Sequence, residues 1–162
     1  MISGPSGAGK SSLIRDALME LDGFIKSISV TTRPMRNNEE KNKHYKFITE
    51  SQFQELIQKE ELLEWAQYCG YLYGTPIDFV YNNLEKGINV ILEIEVQGAM
   101  QVKKKMEDAY MIFITTGSLE ELRNRLLDRN TDEQHQIDRR LLVAEEELKY
   151  ASHYDCIIVN NN

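Results

Sequence analysis

Apolar residues in this chain recur in two rhythms, spacings of three and four and short near-continuous runs, and their order predicts its elements. Leu13, Ile14, Ala17, Leu18 and Leu21 share one helical face, which predicts a helix over 11–21 with Gly23 as its stop. Ile28 and Val30 alternate with Ser27 and Ser29, the pattern of a short half-exposed strand, and a second strand is expected over 45–48. Thr49 and Gln52 have capping-box spacing ahead of Phe53, Leu56 and Ile57, so a helix follows. Two aromatic-rich runs between Leu62 and Tyr73 flank Gly70 as in a hairpin. Thr75-Pro76 reads as a capping hydroxyl followed by proline at the first helical position, with Ile77, Val80, Tyr81 and Leu84 behind it and Gly87 closing.

The second half has buried-strand runs at 90–94 and 111–114, with a crossover helix expected over 98–106. Ser118 and Glu121 form a second capping box ahead of Leu119, Leu122 and Leu126. A polar break at 130–134 precedes a long charged helix, and 156–159 is expected to be a final buried strand. Strands alternating with helices indicate an α/β fold with a parallel sheet, and the short β elements of 27–78 interrupt that rhythm as a small appended lobe.

Composition narrows the class. With 162 residues, 41% hydrophobic and 28% charged, the chain can bury one sizeable core, so a single domain is expected. No run approaches the roughly 18 apolar residues of a bilayer span, and the opening Met-Ile-Ser-Gly-Pro lacks a signal core, so no membrane association and a cytoplasmic location are expected. A net charge of −7 argues against nucleic acid as a partner, because that binding draws on a broad positive surface. Cys69 and Cys156 lie far apart among apolar neighbours and are expected to be small core residues. His44, His135 and His153 sit in polar stretches and are expected at the surface.

Gly4-Pro5-Ser6-Gly7-Ala8-Gly9-Lys10-Ser11 fits GxxxxGK[ST], the P-loop, and runs straight into the first predicted helix. Glycines let main-chain N–H groups turn toward phosphate oxygens, the helix N-terminus adds partial positive charge, Lys10 reaches phosphate and the Ser11 hydroxyl suits Mg²⁺. The candidate phosphate site is Gly4, Ser6, Gly7, Ala8, Gly9, Lys10, Ser11 and Ser12. A plain glycine turn capping a helix is the alternative. Only Met1-Ile2-Ser3 precede the loop, so the numbering is expected to begin inside the strand that leads into it.

Several further stretches, in order, resemble the guanylate kinase family along nearly the whole chain. They are Ser27 to Arg33 with Arg36, Tyr45, Glu64-Trp65-Ala66, Tyr73-Gly74-Thr75, Leu92 to Gly98, Arg125 with Arg129, Arg140, and Ile158-Val159-Asn160. The resemblance implies a P-loop parallel sheet flanked by helices, a small mixed β lobe for GMP at about 27–78, a helical lid at about 123–141, and the remaining core at about 1–26 and 79–162. It implies phosphoryl transfer from ATP to GMP with Mg²⁺, in a monomer or small homo-oligomer. Arg33, Arg36, Tyr45 and Tyr73 would hold the GMP phosphate, and Ser29, Glu64, Thr75 and Glu95 would read or support guanine. Lys10, Arg125, Arg129 and Arg140 would act on the ATP phosphates, with Ser11 on the metal and Glu93 as a water-mediated candidate. Read singly, these arginines are ordinary surface charges and the tyrosines strand packing residues; their combination with the loop points to function.

Departures from the family pattern are Glu93 and Glu95 where aspartates are common, Thr116-Gly117 in place of Pro-Pro, and Asn130 in place of glycine. The chain also stops soon after Asn160, where the family usually continues into a helix. Three other functions compete: a P-loop kinase for another nucleotide or small alcohol, a non-catalytic guanylate-kinase-like binding module, and a nucleotide switch without a second substrate.

Overall fold

The computed structural model describes residues 1–36, 39–40, 43–128 and 134–161, without the side chains of 134 and 135. Contacts divide the chain into two units, Met1–Glu20 with Tyr110–Asn162, and Leu21–Ala109.

The first unit opens with β1 (Ile2–Ser3), the glycine-rich loop and α1 (Lys10–Glu20). Ile14 is buried on the predicted face of α1, whereas Leu21 lies beyond its end and is exposed. Gly23 follows with a φ of +76°, a left-handed conformation glycine adopts without the Cβ clash.

In the second unit come β2 (Phe24–Lys26), β3 (Val30–Thr31), β4 (Lys46–Phe47) and α2 (Glu50–Gln58), then β5 (Leu62–Tyr68), β6 (Tyr71–Pro76), α3 (Ile77–Leu84), β7 (Asn89–Ile91) and α4 (Val96–Lys105). β2 and β7 pair in parallel, while β4-β3-β6-β5 form a mixed sheet with antiparallel β3/β6 and β5/β6. Val30, Phe53 and Leu62, with Ile48, Leu56, Ile57 and Leu72 against them, form the core under that sheet. The Thr49–Gln52 capping box is present at α2, both bonds made. Around 27–31 the expected half-exposed strand is corrected. Pairing starts only at Val30, and Ser27, Ser29 and Thr31 are all buried, so the polar face of the alternation points inward.

Two further expectations change in this unit. Cys69 is no core residue: it and Gly70 have φ of +49° and +87° and form the two-residue turn joining β5 to β6. Thr75 does not cap α3. It lies within β6, its hydroxyl donates to Glu64, and Pro76 stands at the helix entry without a side-chain cap.

The first unit resumes with β8 (Ile112–Thr115), α5 (Leu119–Asp128), α6 (Gln134–Leu148) and β9 (Cys156–Val159). Order β1-β8-β9, all parallel, places β8 between the other two, and Met111, Phe113 and Ile114 are buried there. Ser118 Oγ accepts from Glu121 N, but the Glu121 carboxylate accepts from Gly117 N rather than completing the box. Leu122 and Leu126 of α5 pack with Ile137 and Ala144 of α6. β9 corrects the last expectation: as an edge strand it leaves Ile157, Ile158 and Val159 exposed, and Cys156 only half-buried. Among the described residues no helix is long and apolar enough to cross a membrane. His44 and His153 are exposed as expected, whereas the side chain of His135 lies outside the described residues.

Candidate active site

Within the first unit the glycine-rich loop is held from below by main chain and from the side by polar bonds. Gly4, Gly7 and Gly9 have φ of +137°, +100° and +88°, all in the region that L side chains rarely enter. A Cβ on Gly4 would run into the Ile114 carbonyl group of β8, with its carbon only 2.9 Å away. Gly7 lies against Leu122 and Leu126 of α5, so the loop rests on the same apolar cluster that joins α5 to α6. Asn160, just past β9, donates from Nδ2 to Ala8 O at 2.9 Å and from its main chain to Thr115 O at 2.7 Å.

Three cations of this unit converge on the loop and its supports. Lys10 Nζ donates to the carbonyl oxygens of Gly4 and, at 3.1 Å, Pro5. Arg140 Nη1 reaches Ser6 Oγ at 3.2 Å, and Arg125 donates to Glu121 and, at 2.7 Å, to Asn160 O. Arg129 lies outside the described residues. Ser11 and Ser12 occupy the first turn of α1 with exposed side chains, so Ser11 offers a hard oxygen donor beside the loop. Among the described residues no cluster of three or more His, Cys, Asp or Glu is placed to cage a metal, so a cation held at Ser11 would take its remaining ligands from substrate and water.

The second unit gathers a different set. Arg33 is buried; Nε donates to Tyr73 Oη at 3.2 Å, Nη1 and Nη2 to the Glu39 carboxylate at 3.0 and 2.6 Å, and Nη1 to Pro34 O. Its guanidinium also lies 5.5 and 5.7 Å from the ring centres of Tyr45 and Phe47. Burial works against the charge on Arg33, yet the bonds from Glu39 and the Tyr73 side chain hold its pKa above the usual value. Glu39 is correspondingly lowered: burial opposes ionisation, but Arg33 and the Arg36 main-chain N–H, 2.8 Å away, outweigh it. Tyr45 and Tyr73 meet edge to face at 5.9 Å, and burial raises both phenols. Arg36 is exposed near this group.

Beside it stands a buried carboxylate. Glu64 on β5 accepts from the Thr75 hydroxyl of β6 at 2.6 Å, and Ser29 is buried one residue before β3. Burial, with the Glu95 carboxylate adding to it, pushes Glu64 up to about 7, against the lowering effects of Thr75 and Lys105. Glu95 precedes α4, and Gly98 in the first turn of that helix leaves the room Glu64 fills, since a Cβ there would overlap its carboxylate. Glu93 pairs with Lys26 of β2.

The chain as a whole resembles known proteins. The guanylate kinase family model matches residues 1–162. A guanylate kinase of Syntrophomonas wolfei is 47% identical over 161 residues, covering 99% of this chain and 83% of that protein. One from Rubrobacter xylanophilus is 46% identical over 162 residues, covering 100% of this chain and 85% of the relative. The chain belongs to the guanylate kinase family. A crystal structure of guanylate kinase from Anaplasma phagocytophilum superposes with a TM-score of 0.80 at 32% identity, covering 100% of this chain and 77% of that one. The P-loop α/β fold is therefore that of the guanylate kinases.

Sequence reasoning missed three residues that shape these two candidate sites. Asn160 braces the loop, Glu39 holds Arg33, and Gln101 binds the main chain of β5. A motif ending at Asn160 was a usable signal. For Glu39 and Gln101 a single sequence carries none, because an isolated Glu or Gln in a polar stretch or helix is ordinary.

Proposed function

We propose that this chain transfers the γ-phosphoryl group of ATP to GMP, with ATP on the P-loop and GMP in the lobe of about 27–78. The observation that supports the reading best is the buried Glu64–Thr75 pair in the same unit as Arg33, Tyr45 and Tyr73. Guanine presents two adjacent donors, N1–H and the N2 amino group, to which an ionised carboxylate offers two acceptors. The Ser29 hydroxyl serves O6, the Thr75 hydroxyl spends its proton on Glu64 and so holds the carboxylate, and Glu95 supports the base side. Arg33, Arg36, Tyr45 and Tyr73 supply donors for the dianionic phosphate.

The nucleophile is an oxygen of the GMP phosphate, whose second pKa is near 6, so no general base is required at neutral pH. Catalysis reduces to placing two polyanions and stabilising charge on the migrating group. Lys10 exchanges the Gly4 and Pro5 carbonyls for phosphate oxygens, and loop N–H groups from Gly4 to Ser12 surround the same anion. Arg125, Arg129 and Arg140, in a lid of about 123–141, close on the ATP phosphates and expel water. Ser11 would hold Mg²⁺, with Glu93 as a candidate through water, and the ion would supply neutralising charge to the phosphates. We place the activity in the cytoplasm, where both nucleotides are available. A coupled assay with ATP and each of GMP, AMP, CMP and UMP tests the reading: turnover confined to GMP is expected, and equal use of AMP overturns it.

A further inference from the structure

Strand β5 is an edge of its sheet, and an edge strand turns every second N–H and C=O outward, where they need partners. The outward groups flanking Glu64 belong to Leu63 and Trp65, and α4 satisfies both with side chains. Gln101 Nε2 donates to Trp65 O at 2.6 Å while Trp65 N donates to Gln101 Oε1 at 3.2 Å, the pair of bonds a neighbouring strand would have made. Lys105 Nζ donates to Leu63 O at 2.5 Å. The spacings agree: four helical residues rise about 6 Å and two strand residues about 6.6 Å. Gly98 lies one turn before Gln101 on the same helix face, against the Glu64 carboxylate.

This support falls where the sheet's own ladder is weakest. Pairing of β5 with β6 shifts register between Leu62 and Glu64, the kind of irregularity that re-aims a side chain and leaves its direction to other contacts. The helix and strand are not sealed there by apolar packing, since Gln101 and Lys105 border a cleft of about 380 Å³ with Ile57, Leu62, Trp65 and Ile77. The ammonium of Lys105 also favours the ionised form of Glu64, opposing Glu95.

We propose that Gln101 and Lys105 are positioning residues for base selection, fixing β5 on either side of Glu64 so that its carboxylate meets guanine in register. The proposal rests on the reading of Glu64 as the guanine acceptor. Gln101→Met keeps length, removes both bonds and has the cleft to occupy, and Lys105→Met does the same for Leu63. For each, steady-state kinetics with GMP and AMP as acceptors, plus a thermal melt, give the answer. The expected result is a rise of about tenfold or more in KM for GMP and a narrower GMP-over-AMP preference, from a displaced contact group. The kcat at saturating GMP and the KM for ATP stay within about twofold, because the ATP site is untouched. Gln101→Glu retains the acceptor for Trp65 N–H and should fall between. A folded Gln101→Met with unchanged KM for GMP, or a loss shared equally by both acceptors, overturns the proposal. So does failure of both methionine variants to fold, which makes the residues structural. Glu64→Gln separates the two ideas: if it leaves GMP use intact the guanine reading falls, and if it alone impairs GMP only the positioning role falls.

Discussion

Replacing Gly98 by alanine adds one methyl group at a point where the structure has no space for it. The new Cβ would overlap Glu64 Oε2 and lie 2.8 Å from Cδ, whereas comfortable carbon contacts are about 3.5–4.0 Å. The carboxylate must therefore retreat by roughly 1 Å or more, losing its alignment with the Thr75 hydroxyl and with the two guanine donors. A misplacement of about 1 Å in a contact group costs on the order of 10²-fold in rate, so kcat/KM for GMP should drop by about that factor. Stability should respond far less. Alanine in a helix is favoured over glycine by about 1 kcal/mol, which offsets a comparable loss from the disturbed Thr75–Glu64 bond. The assay is a coupled kinase measurement with GMP varied at saturating ATP, beside a urea denaturation curve. A variant of near wild-type stability whose KM for GMP stays within about twofold refutes the claim that Gly98 is the space Glu64 needs.

Three other outcomes are expected. With its pKa raised to about 7, Glu64 must lose a proton before it can accept from guanine, so guanosine affinity should rise through pH 7 and level off above it. Isothermal titration of guanosine, which carries no titrating phosphate, checks this, and Glu64→Gln should be flat. Because the folded pKa of Glu64 exceeds its unfolded value of 4.5, its effect on stability has the opposite direction, a loss as pH rises from 4.5 to 7. Glu39 is lowered, so its contribution is complete above its unfolded value of 4.5 and disappears as pH falls below it. Glu39→Gln should be less stable at pH 7, by about 1–2 kcal/mol in urea, and equal to the parent in strong acid; equal stability at pH 7 removes the role of the Arg33 pair. Lys10→Ala should fold normally yet lose more than tenfold in kcat, over about 1.4 kcal/mol of barrier, and a smaller loss contradicts its role on phosphate.

What could be read in the sequence is what local order encodes. The phosphate loop occupies eight consecutive residues whose glycines and lysine carry the whole argument, and their helix follows at once. The Thr49–Gln52 box and the Gly70 hairpin were legible for the same reason. Residues whose environment is set by distant partners were not. Ser27, Ser29 and Thr31 look like the wet face of a strand, yet they are buried, because their side of β3 is covered rather than solvated. Thr75 before a proline has the form of a helix cap, but a carboxylate eleven residues earlier takes its proton donor. β9 has the composition of a central strand and lies at an edge, a matter of sheet order that no periodicity reports. Gln101 addresses main chain 36 residues away, and main chain leaves no signature in side-chain type.

The obstacle beside Gly4 is of a different kind from those beside Gly9 and Gly98. At Gly9 the neighbour is the Asn160 side chain and at Gly98 it is Glu64, side chains that a second substitution can shorten, although the φ of +88° at Gly9 still disfavours any larger residue. At Gly4 the neighbour is the Ile114 carbonyl group, which belongs to the backbone of β8 whatever residue stands at 114. No second-site change of side chain can relieve a larger residue there. In a suppressor screen, substitutions at Gly4 should therefore revert only to glycine. That position is dictated by how the loop leaves its strand, independently of whether any nucleotide ever binds.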